Sequence, residues 1–126
     1  MATTTRFTPG ANQDNTYRTV TQDYQAPVYA TTLAVTTSQQ VTLVNVGKLT
    51  GALSVTIGTG STTSAPYVGD TVQFLFSADA VGAHVVTFST GFASSGTLSV
   101  AASKFGTAQF TFNGSVWVED SVVATV

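Results

Sequence analysis

The sequence contains no cysteine. Disulfide staples, thiolate metal sites and thiol nucleophiles are therefore excluded, while the redox compartment is left open. Charge is also scarce. Asp, Glu, Lys and Arg make up 8% of the 126 residues, against about a quarter in an average globular protein. The four bases, Arg6, Arg18, Lys48 and Lys104, are scattered, so they form no basic stripe for nucleic acid or an anionic membrane. No apolar run approaches the roughly 20 residues of a membrane span. The N-terminus lacks the apolar segment of a signal peptide, and no helical window is present. These absences predict a chain made in a cytoplasm with Met1 as its true start, binding neither nucleic acid nor membrane and needing no cofactor.

What replaces the charges is Thr, Ser, Gly and Ala. The predicted surface is polar through hydroxyls and amides. With a net charge of −2, little repulsion keeps copies or neighbours apart, which favours assembly. The length fits one domain.

From residue 31 onward, apolar residues alternate with polar ones at the period of a strand. Predicted strands cover 31–37, 40–46, 52–57, 71–77, 84–89, 97–100, 107–112 and 116–119, with a ninth near 122–126. Leu53, Val55 and Ile57 share a face, as do Val72, Phe74 and Phe76, then Leu98 and Val100, then Ala108, Phe110 and Phe112. Between them lie Gly47-Lys48, Gly58-Thr59-Gly60, Gly69-Asp70, Gly91, Ser94-Ser95-Gly96 and Asn113-Gly114. Asn113-Gly114 predicts a two-residue type I′ hairpin, which needs positive φ at both central residues. The fold class expected is all-β, an antiparallel β-sandwich or barrel of jelly-roll type. Gly51-Ala52-Leu53-Ser54-Val55 echoes Gly96-Thr97-Leu98-Ser99-Val100, a weak repeat signal in so small an alphabet.

Residues 1–30 read differently. They hold Pro9, Gly10, Pro27 and four isolated aromatics, Phe7, Tyr17, Tyr24 and Tyr29. Such a segment buries too little on itself to offset its ordering entropy. The division predicted is an extended N-terminal arm over 1–30 and a β-sandwich over 31–126. The four aromatics would anchor the arm on its own domain or on a neighbour. A loop with one short strand packed on the same chain is the alternative. Trp117 has two readings, an outward interface or sugar-stacking residue, or a plug of the core.

The groups for catalysis are few. His84 is the sole histidine, with Asp70 or Asp79 as an orienting acid and no Gly-x-Ser-x-Gly elbow for a nucleophile. Glu119-Asp120 are adjacent and would point to opposite faces. Asp70 and Asp79 bracket one strand from opposite ends, so neither pair suits a glycosidase. A Ca²⁺ site at Asp79 or Asp120 stays open, although no Asp-rich loop exists. The expectation is a protein that is not an enzyme.

Gly69-Asp70-Thr71-Val72-Gln73-Phe74, Val85-Val86-Thr87-Phe88-Ser89-Thr90-Gly91-Phe92, Ser95-Gly96-Thr97-Leu98 and Phe110-Thr111-Phe112-Asn113-Gly114-Ser115-Val116-Trp117-Val118-Glu119 together resemble β-rich modules of bacteriophage structural proteins. The similarity is to head decoration (cement) proteins and tail-fibre-associated domains. It covers about two-fifths of the chain with motifs of low specificity. The resemblance implies a homotrimer on the outer capsid surface of a virion, bound to the major capsid protein and bridging capsomers. A second reading is a receptor- or glycan-binding module of a tail fibre, with Trp117, Tyr67 or Phe92 stacking on sugar.

Overall fold

A computed structural model describes residues 21–60 and 66–124. Ten strands form among them: β1 (Gln22–Gln25), β2 (Thr32–Val35), β3 (Val41–Asn45), β4 (Leu53–Ile57), β5 (Thr71–Ser77), β6 (His84–Phe88), β7 (Phe92–Ala93), β8 (Thr97–Val100), β9 (Phe105–Phe112) and β10 (Trp117–Ala124). The described residues contain no helix, and thus none long and apolar enough to cross a membrane. The protein is all-β. Six strands form one sheet in the order β1-β3-β5-β9-β10-β7, and four form the other in the order β2-β4-β6-β8.

The sheets are mixed rather than wholly antiparallel. β1, β3 and β5 run parallel, as do β2, β4 and β6, and β7 is parallel to β10. The antiparallel pairs are β5 with β9, β9 with β10, and β6 with β8. The cause is the path of the chain, which crosses to the opposite sheet at every step from β1 to β9. Parallel neighbours need a long crossover, usually a helix. Here a strand of the facing sheet supplies it. The echoed segments both fall in the four-stranded sheet, on β4 and β8. They flank β6 and run in opposite directions.

Alternation along each strand builds the core. β4 buries Leu53, Val55 and Ile57; β5 buries Val72, Phe74 and Phe76; β9 buries Ala108, Phe110 and Phe112. Phe74, Phe88, Phe92 and Phe110 form a connected group of rings with centroids 4.6–6.1 Å apart, the spacing of favourable tilted and edge contacts.

The β9–β10 turn differs from the type I′ expectation. Phe112 pairs with Trp117, so the central residues are Gly114 and Ser115. Gly114 has φ of 104°, and Asn113 is not in the positive-φ region. Instead the Asn113 side chain accepts from the backbone N–H groups of Ser115 and Val116 at 2.8 and 2.9 Å. Asn turns the chain here through its own amide oxygen, and only the glycine needs the unusual φ.

The boundary at residue 30 also moves. β1 lies at the edge of the six-stranded sheet, the Gly47 N–H donates to the Pro27 carbonyl at 2.8 Å, and the Tyr29 hydroxyl donates to the Ala52 carbonyl at 2.8 Å. Residues 21–30 therefore belong to the sandwich. For these residues the alternative of one short strand packed on the same chain holds; its bounds were not legible because β1, Gln-Asp-Tyr-Gln, carries no apolar alternation and is held by its backbone ladder.

Candidate functional site

The described carboxylates are used by the fold. Asp70 is buried, and its Oδ2 accepts from the Tyr67 N–H at 2.9 Å while its own N–H donates to the Tyr67 carbonyl. This closes the turn into β5 around Gly69, whose φ is 93°. Asp79 follows β5, and its Oδ1 accepts from His84 Nε2 at 2.8 Å and from the Val81 N–H at 3.2 Å. The pair ties the 79–83 turn to the first residue of β6. Glu119 on β10 accepts from the Ser95 N–H, the Ser94 hydroxyl and the Ser95 hydroxyl at 2.9–3.2 Å, pinning the loop between β7 and β8. Asp120 sits at a bulge in β10 and accepts from the Thr111 hydroxyl.

Two carboxyls are held below their ordinary values. The His84 hydrogen bond is the largest cause for Asp79, whose ordinary value is 3.8, and the Ser95 N–H is the largest for Glu119, ordinarily 4.5. A carboxyl depressed on folding stabilises the fold above its unfolded pKa, and that contribution disappears as pH falls through the folded pKa. We therefore expect acid unfolding to gain part of its slope below about pH 4.5 from these two groups. Glu119→Gln should flatten that limb and cost about 1 kcal/mol or less at neutral pH, since the group is only part-buried. Urea unfolding at several pH values checks this, and parallel pH profiles for both proteins would refute it.

These acids do not converge. Among the described residues no three metal-ligating side chains come together. Asp79 meets His84, but this pair lines neither the trough beside Tyr24 nor the one beside Phe105 on the six-stranded sheet.

Of the residues expected at an interface, Phe7 and Tyr17 lie outside the described residues. Tyr24 points outward from β1 and is 60% exposed. Tyr29 is half-buried against the core. Trp117 corrects the outward reading, because it is fully buried. It packs on Phe112 with ring centroids 5.2 Å apart, and Nε1 donates to the Gly58 carbonyl at 3.1 Å. Phe92 likewise packs on the core. The sequence held the signal for Trp117: in either register of the β9–β10 hairpin it stands opposite a core-facing Phe.

What sequence reasoning missed is the outer face of the six-stranded sheet. Register places Tyr24, Leu43, Gln73 and Gln109 in one row across β1, β3, β5 and β9, and Asn45, Leu75 and Thr107 in the next. One trough of this face, about 400 Å³, runs along Gln22, Tyr24, Val41 and Leu43 beside Asp23. The other, of about 280 Å³, lies among Asn45, Leu75, Ser77, Phe105 and Thr107. The outer face of the four-stranded sheet is different, with short side chains throughout: Thr32, Ala34, Ser54, Thr56, Val85, Thr87, Thr97 and Ser99. Comparison with known protein families and with characterised proteins gives no match.

Proposed function

We propose that this chain is a non-catalytic structural protein of a bacteriophage virion, a decoration protein that sits on the outer capsid surface and bridges capsid subunits, assembled as a trimer with itself and bound to the major capsid protein. The observation that supports this reading is the placement of charge. Among the described residues, the outward strand positions of the two sheets carry a single ionised side chain, Asp120. Each described carboxylate already accepts a hydrogen bond from the fold. Covering hydroxyls and amides with a neighbour costs far less than covering unpaired charges. The four-stranded face, with its short hydroxyl side chains, is the one suited to lie flat on a capsid. Many such weak contacts would add through multivalency.

A tagged chain supplied during phage growth should co-purify with heads through a density gradient. Thr87→Lys, which places a charge on a central strand of the four-stranded face, should lower incorporation at least about tenfold, a loss of about 1.4 kcal/mol per site, without changing the thermal midpoint. Exclusion of the wild-type chain from particles would overturn the virion reading, and undiminished incorporation of the variant would overturn the choice of face.

A further inference from the structure

We propose that the outer face of the six-stranded sheet binds a neutral oligosaccharide, with Tyr24 and Phe105 as its stacking platforms. The two rings are 60% and 58% exposed. An exposed aromatic presents a flat apolar surface with a polar edge, which suits the C–H face of a sugar ring. Tyr24 is already oriented, because Asn45 Nδ2 donates to its hydroxyl at 3.1 Å. A ring held in place before binding loses less freedom when it stacks.

The ground between the platforms has the matching chemistry. From Tyr24 the path crosses Asn45 and Leu75 to Phe105, through both troughs. Three strand spacings and two residue pairs separate the rings, roughly 20 Å along the diagonal, which accommodates a chain of several sugars rather than one. Gln73 and Gln109 stand side by side on the same face, in the row of Tyr24 and Leu43 and to one side of this route. An amide offers both donor and acceptor to neighbouring hydroxyls. Few precise polar groups on an otherwise apolar floor are what a small-ligand site needs.

Charge selects the class of sugar. The described strand positions of this face carry no Lys or Arg, while Asp120 stands on it at β10 and Asp23 lies beside the Tyr24 trough. Sulfated or uronic-acid chains would find no cation there and would meet like charge. A neutral chain meets neither obstacle. Sugar binding here does not depend on the virion reading, since capsid attachment uses the opposite sheet.

The test is titration of isotopically labelled full-length protein with four neutral hexasaccharides (cellohexaose, laminarihexaose, chitohexaose and mannohexaose), followed by amide NMR, with a heparin hexasaccharide as the anionic comparison. At least one neutral chain should give saturable shifts at Leu43, Asn45, Gln73, Leu75 and Thr107. Tyr24→Ala and Phe105→Ala should each weaken binding about tenfold, the scale of one lost stacking contact. Tyr24→Phe should lose less, and Val85→Ala on the opposite sheet should leave the sugar-induced shifts unchanged. No shifts with any neutral chain, or shifts with heparin alone, would overturn the proposal. So would shifts of these same residues with protein concentration but not with sugar, which would assign the face to a protein partner. The map on the wild-type chain stands even where a variant fails to fold.

Discussion

Gly91→Ala should destabilise the protein by about 3 kcal/mol or more, a large share of the roughly 5–15 kcal/mol that holds a domain together. Gly91 follows β6 with φ of 96°, a region where a Cβ costs about 1–2 kcal/mol. The larger penalty is contact. A Cβ there would stand 2.1 Å from the Ile57 carbonyl oxygen and 2.8 Å from Ile57 Cγ2. Neither neighbour is free to yield. Ile57 is a buried residue at the end of β4, its N–H donates to the Thr90 carbonyl, and the Gly91 carbonyl accepts from the Trp117 N–H. Relief would have to move β4, β7 or β10. Gly82→Ala is the control. Nothing lies within 4 Å of the point its new methyl would occupy, and its φ is ordinary, so the exchange should be neutral or stabilise by up to about 1 kcal/mol. Urea unfolding of the three proteins checks this, and matching midpoints for wild type and Gly91→Ala would refute the strain argument.

The second large effect belongs to Trp117. Trp117→Ala should cost about 3–5 kcal/mol, because the indole is fully buried and fills the space beside Phe112. Trp117→Phe keeps a ring but removes the donor to the Gly58 carbonyl. It should cost less, about 1–2 kcal/mol. Together with the Trp117 N–H bond to Gly91, the residue fastens the end of β4, the start of β7 and the start of β10. Substitutions at Gly91 and Trp117 should therefore be non-additive. Trp117 is the sole tryptophan, so its fluorescence in the native protein should be that of a buried indole and should shift red on unfolding. A fully folded Trp117→Ala, defective only in binding a partner, would restore the outward of the two roles expected of this residue.

These two positions also divide what was legible from what was not. Alternation alone assigned much of the core. Leu53, Val55, Ile57, Val72, Phe74, Phe76, Leu98, Val100, Ala108, Phe110 and Phe112 all fall on shared faces in the sequence pattern, and all are buried. The places of the turns were legible too, since Gly69, Gly91 and Gly114 take positive φ. Period-2 alternation states which side of a strand is apolar, and glycine states where the chain can bend. Both are local properties that survive without knowledge of neighbours.

Strand partners and directions emerge only from the packed chain. Backbone N–H and C=O groups are the same in every residue, so nothing in a strand names the neighbour it will pair with or whether that neighbour runs parallel. The alternation between two sheets, and with it the parallel order of β1, β3 and β5, follows from how the whole chain packs. So does β1 itself, a polar edge strand recruited by its ladder to β3. The outer face that brings Tyr24, Asn45 and Phe105 within one surface has the same origin, because residues far apart in sequence share it only after the register of β1, β3, β5 and β9 is set.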